Sequence, residues 1–431
     1  MSYTRENFAK LLQNLKVGEE NVLIRSRRDA ITKALNKEFR STDSSSDNRL
    51  MIGSYGRHTA IRHISDLDML YVLPPAIRSD YTDEKGPRKI LNVVRDSLKR
   101  HYPKTNVRVD QCVVRVQFAS KEFTFEIQPV FENEDTSFSY PDTQSEKWKI
   151  TKPRAEISAT RDCNARTSNK MRHLARMTRA WKNTHGVSMG GLLIDTLVHR
   201  FFSSNDSYDN ADMDAYGFMV RDFFEFLSEE PDQSYYAALG SDQRVKVHKP
   251  FQAKAMKAYN RCNEAIKQEG KVKAAEEWRK IFGTSVQSTS AKEKGSFEDT
   301  EQFIENLFRV DIRHAVTVDC KVTQNGWRPA WLKEMLRNND FLRPNKTLDF
   351  TIENCDVPEP YSVRWKVLNR GKEAERRNHI RGQIFETPHR DEHQERTVFR
   401  GEHLVECYII KDDVVVARDH ILVPIVTDNA E

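Results

Sequence analysis

The stretch Asp66-Leu67-Asp68-Met69-Leu70-Tyr71-Val72-Leu73 limits the possible folds more than any other. Its apolar run reads as a buried strand. Side chains alternate along a strand, so carboxylates two residues apart share one face. Held side by side, Asp66 and Asp68 repel each other unless a cation stands between them. A hard divalent ion with oxygen ligands fits, Mg²⁺ first and Mn²⁺ as an alternative. Just upstream, Ile52-Gly53-Ser54-Tyr55-Gly56-Arg57-His58-Thr59 supplies a Gly-Ser turn whose N–H groups and hydroxyl can hold a phosphate. A phosphate-gripping turn ahead of a carboxylate pair describes metal-assisted phosphoryl or nucleotidyl transfer. A surface hairpin with solvated aspartates is the plain alternative, and the apolar run beyond Asp68 argues against it.

A third carboxylate is expected downstream. In 123–131, Phe123, Phe125 and Ile127 alternate with Thr124, Glu126 and Gln128, so one face is apolar and the other carries Glu126. Pro129 predicts that this strand lies at an edge or ends there. Asp110 competes for the role, but its surroundings in the strand-like run 107–118 offer no comparable polar face. His58 and His63 flank the turn and read as solvated loop residues. His389 and His393, four apart, have no cysteine at metal spacing, so zinc is not expected there.

A chain of 431 residues is too long for one ordinary core and predicts two or three domains. No run of eighteen apolar residues occurs, and the N-terminus lacks a signal pattern, so a cytoplasmic protein without a membrane span is expected. The six scattered cysteines suit reduced thiols. A formal charge of +5, from 69 basic and 64 acidic residues, gives no extended nucleic-acid footprint.

Helical periodicity covers 19–39 and 87–101 before and after the carboxylate strand. Ala119–Glu122 reads as a hairpin connection between the runs 107–118 and 123–131. Helices are predicted at 168–184, 191–202, 216–227, 251–268 and 272–282. The first of these carries a Met171, Leu174, Met177, Trp181 core stripe; among its basic residues Lys170, Arg172, Arg176, Arg179 and Lys182, some can face a triphosphate. Residues 284–296, small and polar, read as a linker. Short strand-like runs at 314–322, 348–352, 361–368, 403–410 and 414–417 predict a β-sandwich, with Trp327, Trp331 and Trp365 expected in its core.

The order of Gly53-Ser54 turn, Asp66-x-Asp68 strand and Glu126 three residues before Pro129, followed by a helical half, resembles the polymerase-β-like nucleotidyltransferases. Gly53-Ser54-Tyr55-Gly56-Arg57-His58-Thr59-Ala60-Ile61 with Arg179-Ala180-Trp181-Lys182 is similar to the bacterial cGAS/DncV-like nucleotidyltransferases, or CD-NTases, relatives of the oligoadenylate synthetases. The run 361–374, with Ile380-Arg381-Gly382, Gly401-Glu402-His403 and Val405-Glu406-Cys407-Tyr408, resembles the adenylyl/guanylyl cyclase and SMODS C-terminal sensor (AGS-C) domain.

These resemblances imply an α+β chain: a nucleotidyltransferase core of mixed sheet plus helical half, then a small β-sandwich. The boundaries expected are 1–165 for the palm core, 166–283 for the helical half, 284–302 for the linker and 303–431 for the sensor-like domain. They further imply an enzyme joining ATP or other ribonucleoside triphosphates into a cyclic di- or trinucleotide second messenger in anti-phage signalling. Its partners would be a separately encoded effector and regulatory proteins of the same operon, with no nucleic-acid activator required. By position, Asp66, Asp68 and Glu126 would be the catalytic metal ligands, Gly53 and Ser54 would contact donor phosphates, and Arg57 and Lys182 would be further phosphate contacts. The family usually has Asp where Glu126 stands. Rival readings are a transferase that modifies RNA or protein, and a catalytically weak nucleotide sensor.

Overall fold

The computed structural model describes residues 3–118, 123–287, 301–324, 328–340, 342–369, 372–376, 381–398 and 401–426. Two compact units are present, 1–181 with 189–287, and 182–188 with 288–431.

In the first unit, α1 (Tyr3–Leu15) and α2 (Glu20–Arg40) lead into β1 (Arg49–Met51), the one-turn α3 (Gly53–Gly56), β2 (Asp66–Val72) and α4 (Gly86–His101). Strands β3 (Asn106–Asp110), β4 (Val113–Gln117), β5 (Thr124–Glu132), β6 (Phe138–Asp142) and β7 (Lys147–Thr151) come next. Helices α5 (Pro153–Arg166), α6 (Lys170–His185, of which 182–185 belong to the second unit), α7 (Gly191–Ser204) and α8 (Tyr216–Glu229) follow, then the hairpin β8 (Tyr235–Ala237) and β9 (Arg244–Lys246), α9 (Gln252–Lys267) and α10 (Val272–Phe282).

The main sheet runs β1-β2-β5-β4-β3, with β6 and β7 extending from β5. The β2–β5 pair is parallel, and the other pairs are antiparallel, so the sheet is mixed. Leu67, Met69 and Tyr71 of β2 and Phe125 and Ile127 of β5 pack with Ile24, Ile31 and Leu35 of α2 and Ile90, Leu91 and Val94 of α4. On the opposite face Leu70, Val130 and Phe138 form a smaller cluster. A one-residue slip of β2 would exchange Leu67 and Met69 for Asp66 and Asp68 in the main core, losing about 1.5–3 kcal/mol per apolar side chain exposed, so the register is strongly fixed.

Two local expectations are corrected. The run 107–118 is the hairpin β3–β4, turned at Gln111 and Cys112, with Gln111 at φ +49°. Strand β5 neither ends at Pro129 nor lies at an edge, because it runs between β2 and β4 to Glu132. Pro129 is accommodated because β4 pairs only with residues 124–127 and β6 only with 131–132, leaving a gap in the antiparallel ladder where the missing N–H costs nothing.

The second unit holds β10 (Arg309–Val310), β11 (Val316–Thr323), β12 (Ala330–Trp331), α11 (Leu332–Arg337), β13 (Thr347–Cys355), β14 (Ser362–Leu368), α12 (Lys372–Arg376), β15 (Ile384–Phe385), β16 (Glu392–Arg396), β17 (Gly401–Lys411) and β18 (Val414–Ile425). Sheets β10-β18-β17-β14-β15 and β12-β11-β13-β16 share one core that includes Val318, Cys320, Phe350, Trp365, Cys407 and Ile409, as a sandwich does. Trp365 is buried and Trp331 is exposed. His393 lies on β16, with Nε2 2.7 Å from Glu395 Oε1. The expected hairpin connection 119–122, Trp327, and residues 288–300 of the expected linker lie outside the described residues. All six cysteines are free thiols.

Candidate active site

Parallel pairing sets Asp66 beside Thr124 and Asp68 beside Glu126. Residues paired across adjacent strands point to the same face, so Asp66, Asp68 and Glu126 emerge together on the face opposite the α2/α4 core. Each is half-buried. The Gly-Ser turn is fastened to this strand: Ile52 N–H donates to the Asp68 carbonyl at 2.9 Å. Gly53 sits at φ +61°, and a Cβ there would lie 1.9 Å from Asp68 Oδ2. Only glycine both tolerates that backbone and leaves room for the carboxylate. The Ser54 carbonyl accepts from the N–H groups of Thr59 and Ala60 at 2.8 and 3.0 Å, closing the loop behind the turn.

Arg115, paired across β4–β5 with Glu126 and across β3–β4 with Arg108, brings a guanidinium to this face. Its guanidinium lies 3.3 Å from Asp66 Oδ1, 3.6 Å from Glu126 Oε1 and 3.3 Å from Asp110 Oδ2. Asp110 is exposed at the end of β3. Ser65 Oγ donates to Asp66 Oδ2 at 3.2 Å. Three carboxylates from two neighbouring strands are the donor type a hard divalent ion takes. Among the described residues, however, no group of three His, Cys, Asp or Glu side chains is arranged to hold an ion as it stands.

Arg57, expected as a phosphate contact, is engaged with carboxylates of the protein itself. It is 3% exposed, and its Nε donates to Asp195 Oδ2 at 2.7 Å, with Glu156 Oε2 3.4 Å away. Thr59 Oγ1 donates to the same Asp195 oxygen at 2.9 Å, and Arg179 donates to both Asp195 oxygens at 2.7 and 3.0 Å. A wholly buried aspartate on α7 thus ties the segment after the turn to α6. Burial pushes the Asp195 pKa up, but the guanidiniums of Arg179 and Arg57 outweigh it and leave the carboxyl below its ordinary range. Glu156 goes the other way: burial raises it more than Arg57 lowers it. Lys182 is also engaged elsewhere, in the second unit, where its Nζ lies 2.8 Å from Asp311 Oδ1 and 2.8 Å from the Ile312 carbonyl. These are the contacts it makes at the position where a triphosphate contact is expected.

Arg172 and Arg176, only candidates within a wider basic set from sequence, lie one turn apart on α6 with His58 close by, and Arg176 donates to the His58 carbonyl at 2.8 Å. Among the described residues neither guanidinium has a carboxylate partner, and the Nε of each is buried without a hydrogen bond. Burial lowers the pKa of both, and the neighbouring guanidiniums lower Arg176 further. Burial and these two cations likewise hold His58 below its ordinary value. Guanidiniums left without a carboxylate attract anions.

With the geometry in place, the matches to known families fall on the same segments. Residues 1–164 match the profile of the Second Messenger Oligonucleotide or Dinucleotide Synthetase (SMODS) domain, and residues 298–426 that of the Adenylyl/Guanylyl and SMODS C-terminal sensor domain. The chain belongs to the cGAS/DncV-like nucleotidyltransferases. The chain superposes on apo Vibrio cholerae DncV with TM-score 0.51 at 13% identity, covering 66% of this chain and 96% of that one. V. cholerae DncV cyclic AMP-GMP synthase gives TM-score 0.51 at 14% identity, covering 66% and 97%. An E. coli MS115-1 CdnC:HORMA-deltaN complex gives 0.50 at 15% identity, again covering 66% and 97%. These likenesses establish a polymerase-β-type fold for the part of the chain they cover. Curated proteins give no match.

Proposed function

We propose that this nucleotidyltransferase joins ribonucleoside triphosphates, ATP among them, into a cyclic di- or trinucleotide. The observation that carries the reading is the register of β2 on β5, which sets Glu126 across from Asp68 while Gly53 closes on Asp68 from the turn. Asp66, Asp68 and Glu126 would hold Mg²⁺, or Mn²⁺ in its place. Bound there, such ions lower the pKa of an acceptor hydroxyl and neutralise charge on a departing pyrophosphate. Gly53 and Ser54 present backbone N–H groups and a hydroxyl to the donor phosphates. Arg172 and Arg176 take the remaining phosphate charge. Asp195 holds the turn against α6, so that the reacting groups are positioned before substrate arrives.

In the cell the product activates a separately encoded effector in anti-phage defence, with regulators from the same operon, and the enzyme acts in the cytoplasm. No helix among the described residues is long and apolar enough to cross a membrane. The test is incubation of the purified chain with Mg²⁺ or Mn²⁺ and the four labelled ribonucleoside triphosphates, followed by phosphatase. A small resistant product, lost in Asp66→Ala with Asp68→Ala, is expected; label confined to RNA or protein would refute the reading.

A further inference from the structure

Arg115 has no place in the chemistry just described, yet its guanidinium occupies the middle of the carboxylate face. It lies within 3.6 Å of Asp66, Asp110 and Glu126 oxygens, and it projects from β4 at the position paired with Glu126. Its side chain is 15% exposed, against 10% for Asp66 and 21% for Glu126, so all three charges are held in a partly desolvated pocket. Carboxylates so placed repel unless a cation is among them. In this arrangement the cation is the protein's own. Asp66 and Glu126 both lie against Arg115.

We propose that Arg115 is a built-in counter-cation that competes with the divalent metal for Asp66 and Glu126, and so sets the metal concentration at which the site assembles. The proposal rests on the reading of Asp66, Asp68 and Glu126 as metal ligands. With metal absent, Arg115 keeps the face electrostatically neutral enough to stay folded. As the carboxylates turn to a divalent ion, the guanidinium must give up its Asp66 and Glu126 contacts, and Asp110, exposed and on the far side of the hairpin from them, remains to receive it. A competing cation of this kind weakens metal binding without touching the metal, which makes Arg115 a positioning residue.

The test is Mn²⁺ binding to the full chain, followed by the electron paramagnetic resonance signal of the free ion, in wild type, Arg115→Met, Arg115→Gln and Arg115→Lys, with Asp66→Ala/Asp68→Ala as reference. Removing one positive charge facing a divalent ion is expected to tighten binding about tenfold, the order that a water-screened Coulomb interaction at contact range gives. Arg115→Lys, which keeps the charge, should stay close to wild type. The metal-free melting temperature should fall in Arg115→Met and Arg115→Gln, and Mn²⁺ should raise it by more than in wild type, since a ligand that binds only the folded state stabilises it in proportion to its affinity. Two neutral variants are used so that a folding failure of one leaves the measurement intact. Unchanged or weaker Mn²⁺ binding in the neutral variants, with wild-type binding still abolished by the double aspartate change, overturns the counter-cation alone. Wild-type binding that survives the double aspartate change overturns the metal-site reading itself.

Discussion

Gly53→Ala should leave the first unit folded and remove most of its activity. The backbone at Gly53 is left-handed, φ +61°, which costs a residue with a Cβ about 1–2 kcal/mol. The new methyl would stand 1.9 Å from Asp68 Oδ2 and 2.8 Å from its Cγ, where ordinary contact begins at 3.4 Å, so the carboxylate must move by about 1.5 Å. Rotating the carboxylate away does not relieve the contact fully, because Asp68 Cβ itself would be 3.1 Å from the methyl. A misplacement of about 1 Å in a catalytic group costs about 100-fold in rate. For a unit of this size, about 2 kcal/mol lowers the melting temperature by about 4–8 °C. Initial rates of product formation and thermal melts, run beside Gly190→Ala, check this. Gly190 has φ −67°, and an added methyl there would meet nothing within 4 Å, so its variant should behave as wild type. Gly53→Ala with turnover within threefold of wild type would refute the claim that the turn is seated directly on Asp68.

Glu126→Gln keeps the shape of the third carboxylate and removes its charge; turnover should drop about 100-fold, equivalent to about 2.7 kcal/mol, and near-normal rates would move the role to Asp110. Arg172→Gln with Arg176→Gln should raise KM for the nucleoside triphosphate tenfold or more, since each charge-assisted contact contributes about 1.5–3 kcal/mol, while the melting temperature holds or rises as their mutual repulsion is relieved. Unchanged KM would remove the pair from the phosphate site. Asp195→Asn should cost about 3–5 kcal/mol at neutral pH by stranding two buried guanidiniums. Because the folded carboxyl is held below its ordinary value, its contribution is complete above about pH 4 and is lost as pH falls through the folded pKa. Denaturant titrations should therefore show the gap between wild type and variant narrowing on acidification, and a gap independent of pH would contradict the assignment.

Alternation made the face of Asp66 and Asp68 legible in the sequence, and the same rule singled out Glu126, because both strands bury one side in a continuous core. That the two strands are parallel neighbours was not legible, since their pairing spans 58 residues and depends on the helix crossing between them. Reading 107–118 as one run hid Arg115: only the turn at Gln111-Cys112 folds β4 back beside β5 and brings the guanidinium to Glu126. A polar Asp110-Gln111 break in an otherwise alternating Val/Arg pattern was the available signal. Arg57 and Lys182 are assigned to phosphates through the family resemblance alone, and the carboxylates they pair with, Asp195 and Asp311, are 138 and 129 residues away. Charge type can be read locally, but the partner that neutralises it is set by tertiary contacts.

Asp195 carries a consequence for how such a chain can diverge. One carboxylate serves Arg57, Thr59 and Arg179 at once, so a change at any single member strands the others in a buried, poorly solvated site. Single substitutions there pass through a destabilised intermediate, while a joint exchange for well-packed apolar side chains need not lose stability at all. The network should therefore drift as a block, retained whole or replaced whole, and a homologue keeping Arg57 without an acidic residue on α7 would need a new anion in its place. The turn seated on Asp68 is thus tied, in its history as in its geometry, to residues on two distant helices.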